Sequence, residues 1–122
     1  MIQVVIIFSV AVLTAVASQL LFKRGMFALA NMSFSLDNMY ILIKHVLTNP
    51  FLLGGLFFYG ISFLLWLFIL AKVKLSVAYP ITSMNFVLVL IASYYFFGEK
   101  LSLFQYVGIL FIIVGVFALS RG

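Results

Sequence analysis

The sequence has no cysteine. Disulfide cross-links and thiolate metal sites are therefore excluded. It has one histidine, His45, and two acids, Asp37 and Glu99. That leaves almost nothing for a metal cluster or for acid–base catalysis, and no nucleophile–base pair is visible. The chain reads as a non-enzyme with no cofactor and no metal. Charge of either sign is scarce, at 7% of residues. The net charge of +5 comes from basic residues at the ends of apolar runs, where they meet lipid phosphates and not nucleic acid.

What is abundant is apolar surface. Hydrophobic residues make up 67% of the 122, and mean hydropathy is +1.37. A water-soluble domain this small leaves too much of its chain exposed to hide that surface, so the bilayer must be the solvent. Four apolar runs cover Ile2–Phe22, Phe51–Ala71, Val77–Phe97 and Leu101–Ser120. Each is about 20 residues long, and at ~1.5 Å per residue that spans a hydrocarbon core of ~30 Å. Backbone groups in lipid must be satisfied within the segment, which makes these runs helices. We expect one all-α, four-helix transmembrane domain over residues 1–122. The first run lacks a basic start, and its charges, Lys23 and Arg24, follow it. It reads as a retained helix and not a signal peptide.

Four spans put both termini on one face. That face carries Lys72, Lys74 and Arg121, and the other carries Lys23, Arg24, Lys44 and Lys100. The balance leaves two readings of orientation. One is a fixed insertion with a weak signal; the other is dual insertion giving an antiparallel dimer. The long connection from Lys23 to Pro50 holds "DNMYILIKHVLTN", which predicts a short interfacial helix capped by Asp37 or Asn38. Met39, Leu42, Ile43 and Val46 share its apolar face. His45 sits near the headgroups, either simply solvated or touching lipid phosphate. Pro50 suits the first turn of the next helix.

Polar residues within a span face protein or a water-filled cavity. In the third run, Ser76, Tyr79, Pro80 and Ser83 fall at i, i+3, i+4 and i+7, with Thr82 and Asn85 to one side. Pro80 is expected in the first helical turn. Thr82 and Ser93 are expected to bond between helices, and Tyr79, Ser83 and Asn85 to face a cavity. In the first run, Gln19 and Lys23 share a face. Lys23 either snorkels to the headgroups or turns inward as a phosphate ligand. The second run presents Gly55, Tyr59, Ser62 and Trp66 on one stripe. Tyr59 is too deep for an interfacial belt and should face inward; Trp66 faces inward or joins the belt. The fourth run has no polar stripe. Gly108 and Gly115 make it a packing or dimer helix. Glu99 is either a solvated turn residue or a partner for Lys23 or Arg24. Four helices enclose little space, so a dimer of eight helices is the expected way to build a cavity.

The stretch "SVAYPITSMNFVLVLIASYYFFGEKLSLFQYVGILFIIVGVFAL" resembles the last two helices of the small multidrug resistance branch of the drug/metabolite transporter superfamily. The S-x-A-Y opening, the G-E-K-L turn and the glycine-bearing fourth helix carry the likeness, and "AVASQLLFKRG" resembles that branch's first helix. Drug exporters of this type hold a glutamate eight residues before the lysine ending helix one. The matching residue here, counted back from Lys23, is Ala15. The aminoarabinose–undecaprenyl phosphate flippase subunits, which are EamA-like, are similar at Ser18–Gln19, at Trp66, at Ala78, Tyr79, Pro80 and Ser83, and at Met84–Val87. The resemblance implies translocation of a polyprenyl-phosphate-linked sugar across a bacterial inner membrane, by a homodimer or by a pair of related chains. It implies that Tyr79, Ser83 and Asn85 contact sugar or phosphate. Lys23 with Arg24 would neutralise the phosphate, and Gln19 would hydrogen-bond it. Tyr59 and Trp66 complete the candidate substrate-binding set, with Glu99 as a charge partner. Two rivals stand beside this: a small-molecule or drug exporter lacking the usual helix-one glutamate, and a non-transporting membrane scaffold for a glycosyltransferase.

Overall fold

A computed structural model describes residues 2–121. The described residues are helical with short connections, and four helices have the length and apolarity to cross a membrane. The first span is α1, Ile2–Gly25. A 3₁₀ turn at Phe27–Leu29 leads to a short helix, α2, Leu36–Thr48, and then to the second span, α3, Pro50–Lys72. The third span is broken into α4, Leu75–Ile81, and α5, Met84–Phe97; the fourth is α6, Leu103–Arg121.

The centre of the fold is the antiparallel α1–α3 pair. A Cβ on Gly55 would lie 2.7 Å from the Phe22 ring and 3.2 Å from the Ser18 carbonyl, so the absent side chain is what lets the two backbones approach. Ser18, at 0% exposure, satisfies its own hydroxyl by donating to Ala15 O at 2.7 Å. Ser62 Oγ donates across the interface to Ala11 O at 2.9 Å. Ile69 and Ala78 are buried with Ala11 at the far end of the pair.

The helix ends follow local chemistry. The cap of α2 is Ser35, whose hydroxyl accepts from Asn38 N at 3.2 Å. The sequence suggests Asp37 or Asn38 for that cap; the helix starts earlier because Ser35 takes extended dihedrals while Asp37 already sits in the first turn. Asn38 instead donates its amide to Ser33 O. Asn49 caps α3, with Oδ1 accepting from Phe51 N at 2.9 Å and Leu52 N at 3.2 Å, and Pro50 takes the first helical position as expected. Gly98 ends α5 at φ 67°, the left-handed conformation that favours glycine. Ser102 and Gln105 form a reciprocal capping box on α6.

His45 differs from its expected solvated role. It is half-buried, and its Nε2 donates to Gly25 O at 2.8 Å, tying the end of α2 to the last carbonyl of α1. A bare carbonyl at a helix end needs a donor, and the 3₁₀ turn that follows does not supply one.

The third span departs most from expectation. Because α4 begins at Leu75, Pro80 lies in the helix interior and not in its first turn. Its ring removes the N–H that would have bonded Ser76 O. Just beyond it, Thr82 N–H and the Thr82 hydroxyl both take Tyr79 O. Ser83 N–H is left to bond Pro80 O at 3.0 Å, and Asn85 and Phe86 continue with i→i−3 bonds to Thr82 and Ser83. Side-chain competition and a missing donor together tighten the backbone and split the span at Thr82–Ser83. Thr82 and Ser93 both bond within their own helix, Ser93 to Leu90 O at 2.8 Å, and not between helices. A hydroxyl one turn above a carbonyl reaches it at no cost in helix separation.

Candidate functional site

Two adjoining chambers lie where α1, α3 and the broken third span meet. The smaller, about 190 Å³, is walled by Phe8, Ala11, Val12, Phe63 and Ile69, with Tyr59, Ser62, Trp66, Thr82 and Asn85 supplying polar atoms. The larger, about 510 Å³, is formed by Val16, Phe86, Val89 and Leu90 with Gln19 at one side. Ala15, Tyr59 and Asn85 belong to both. They form the waist.

The waist has no charge. Neither acid of the chain lines either chamber; Asp37 is in α2 and Glu99 follows α5. Ala15 presents a methyl group between them. Asn85 Oδ1 is buried without a hydrogen-bond partner. Such an acceptor costs ~1–3 kcal/mol relative to a satisfied one, and the helix break beside it positions the side chain toward the chambers. The unpartnered oxygen therefore favours a ligand with an N–H or O–H to donate.

Of the residues singled out in the sequence, Gln19, Tyr59, Trp66 and Asn85 meet at the chambers. Tyr59 is 52% exposed, and its ring centroid lies 6.3 Å from that of Phe22. Trp66 faces inward, with its edge toward Tyr79 at 6.4 Å between centroids. Tyr79 itself is 66% exposed and lies outside both linings, as does half-buried Ser83. Thr82 takes the place that Ser83 was expected to fill. Its i+3 relation to Asn85 was the available signal, but the change of helical register at the break hid it.

The basic pair separates. Lys23 Nζ is 3.7 Å from Glu99 Oε1, with both side chains about half-exposed, and it also lies 5.9 Å from the Phe27 ring centroid. The pairing of Glu99 with Lys23, one of two sequence alternatives, is the one found. An ion pair that open contributes only ~0–1 kcal/mol, so an incoming anion can displace the carboxylate. Arg24 points elsewhere, 5.4 Å over the Phe51 ring.

Comparison with known proteins gives this arrangement a context. The chain matches the EamA-like transporter family over residues 2–121. It is 34% identical over 112 residues to the probable 4-amino-4-deoxy-L-arabinose-phosphoundecaprenol flippase subunit ArnF of Serratia proteamaculans, covering 90% of this chain and 86% of that protein. The corresponding subunit ArnE of Yersinia pseudotuberculosis is 48% identical over 61 residues, 50% of this chain and 54% of its own length. The uncharacterized protein y4nH of Sinorhizobium fredii is 43% identical over 75 residues, 61% of this chain and 64% of its own. The chain thus spans between about half and two thirds of the last two relatives and most of the first. No solved structure matches. The likeness to flippase subunits, and not to enzymes, agrees with four apolar spans, three of which meet at an uncharged waist: the chain belongs to the EamA-like transporter family and is a multi-pass protein of the bacterial inner membrane.

Proposed function

We propose that this chain, as one four-helix transporter domain over residues 1–122, carries a polyprenyl-phosphate-linked sugar across the membrane through the chambers between α1, α3 and α5. The observation that carries the reading is the acid-free waist at Ala15, with an unpartnered acceptor on Asn85 beside it. A cationic drug would find no counter-charge there. A sugar hydroxyl supplies the donor that Asn85 Oδ1 lacks, whereas a phosphate, having only acceptor oxygens when ionised, does not. The sugar therefore sits at the waist with Tyr59, Ser62 and Thr82. The phosphate lies toward Gln19 and Lys23, one helical turn apart on α1, where the Gln19 amide and the Lys23 ammonium donate to it. The isoprenoid chain stays in lipid beside the protein. Tyr79 braces Trp66 from the outside, and Ser83 contributes through the break it helps to form.

The named relatives, probable subunits of a flippase for a phosphoundecaprenol-linked amino sugar, supply the substrate class. They also favour operation as a pair, with a second copy or a related four-helix chain. In this reading α2 lies at the membrane interface, with Lys44 toward the headgroups. The drug-exporter alternative loses ground because Glu99, the acid it would need, is engaged by Lys23 away from the chambers.

The test is translocation of a phosphoundecaprenol-linked 4-amino sugar in proteoliposomes, with the protein reconstituted alone and with a related four-helix chain. Asn85→Leu and Lys23→Ala are each expected to slow translocation at least about tenfold, the effect of losing a hydrogen bond to a charged or buried group. Unchanged rates in both variants would overturn the proposal.

A further inference from the structure

Beside the chambers runs a third groove, about 300 Å³, formed by Ala17, Leu20 and Leu21 of α1 and by Phe96 and Phe97 of α5, with Arg24 at its end. Arg24 lies five residues beyond Gln19, about 140° further round α1 at ~100° per residue, so this groove opens on a different side of the helix from the larger chamber. Its surroundings are hydrocarbon: the lining is apolar except for the guanidinium, and both walls belong to membrane-length helices. A slot of this kind in a bilayer is filled by a lipid chain and not by water.

The guanidinium decides which lipid. Among the described residues, the one ion pair within 4.0 Å is Lys23–Glu99, and Arg24 has no carboxylate of its own. Its Cζ lies 5.4 Å from the Phe51 ring centroid, and among the described residues its guanidinium N–H groups have no hydrogen-bond acceptor. A planar fork with five donors at the mouth of an apolar slot is complementary to a phosphate carried on a chain. Lys23, its neighbour in sequence, offers the next cation on the way to Gln19.

We propose that the groove between α1 and α5 is a docking site for the polyprenyl phosphate end of the transported lipid, the phosphate on Arg24 and the first isoprene units between Leu20, Leu21, Phe96 and Phe97. This rests on the reading that the substrate is a polyprenyl-phosphate-linked sugar. The slot holds one chain. The two neighbouring cations then divide the work: Arg24 receives the lipid from the bilayer, and Lys23, whose hold on Glu99 is weak, takes the phosphate at the chamber side.

Native mass spectrometry of the delipidated full chain in detergent tests this, with phosphoundecaprenol and dioleoyl phosphatidylglycerol as separate probes. Wild-type protein is expected to retain phosphoundecaprenol. Arg24→Ala should weaken it about tenfold, Arg24→Lys should weaken it less, and Leu20→Trp should weaken it with the charge intact. Lys100→Ala, which removes an exposed cation on the turn after α5, should leave binding unchanged. Phosphatidylglycerol should not displace the bound lipid at equal concentration. Binding by Arg24→Ala and Leu20→Trp equal to wild type would overturn the groove while leaving the transport reading standing. Equal displacement by phosphatidylglycerol would also overturn it, marking a site for any anionic phospholipid. No binding of phosphoundecaprenol by wild type would remove both.

Discussion

The two halves of the molecule are built from equally apolar helices and end up in opposite conditions. The α1–α3 pair is locked: Gly55 lets Phe22 and Ser18 approach to van der Waals limits, and Ser62 bonds across to Ala11. On α6 no described residue is buried, and a Cβ on Gly108 or Gly115 would meet nothing within 4 Å. Hydrophobicity does not distinguish these regions, because lipid is as apolar as leucine and gives helices no reason to associate. Small residues and interhelical hydrogen bonds do distinguish them. Gly25 and Gly55 of the first pair sit in close contact with the facing helix, whereas both glycines of the last helix face open space. We read the locked pair as the fixed wall of the chambers and α6 as the surface offered to a second chain.

This contrast can be broken by substitution. Gly55→Val should give the largest loss, about 1–3 kcal/mol of overpacking against Phe22, seen as a lowered unfolding midpoint in detergent. Gly108→Val should leave that midpoint unchanged and lower the fraction of paired chains in size-resolved measurements. Equal effects of the two on the midpoint would erase the distinction. Asn85→Leu should raise stability by about 1 kcal/mol by removing an unsatisfied acceptor, while slowing transport. A loss of stability instead would mean that the oxygen has a partner. Ser62→Ala should cost about 0.6 kcal/mol, the usual value for a hydrogen bond between membrane helices, and Ser120→Ala, whose hydroxyl bonds its own helix, about nothing. Glu99→Gln should change stability by at most about 1 kcal/mol and leave translocation intact, whereas a proton-coupled exporter would lose its coupling.

The comparison also explains what could be read in advance. The spans were legible because their length and apolarity are dictated by the bilayer. The inward stripe of the second run was legible for the same reason that glycine and serine matter in lipid: Gly55 and Ser62 sit at the α1 interface, and Tyr59 and Trp66 sit at the chambers. The third run was misread in detail because periodicity assumes one continuous helix. The i→i−3 bonds after Pro80 change the register, which brings Thr82 to the lining and takes Ser83 from it. His45 was misread because its partner, the Gly25 carbonyl, is twenty residues away and backbone acceptors leave no mark in a sequence. Lys23 and Arg24 looked like one basic patch. Their separation follows from neighbours supplied by other segments, Glu99 and Phe51.

An acid-free waist lets a phosphate-bearing lipid pass without meeting a charge of its own sign. Ala15→Glu, with Ala15→Gln as its neutral counterpart of the same size, tests this most directly in proteoliposomes carrying a phosphoundecaprenol-linked sugar. Glutamate is expected to abolish translocation, and glutamine to retain a substantial part of it. Glutamate transporting the lipid as well as glutamine does would mean that the charge at the waist has no bearing on what passes.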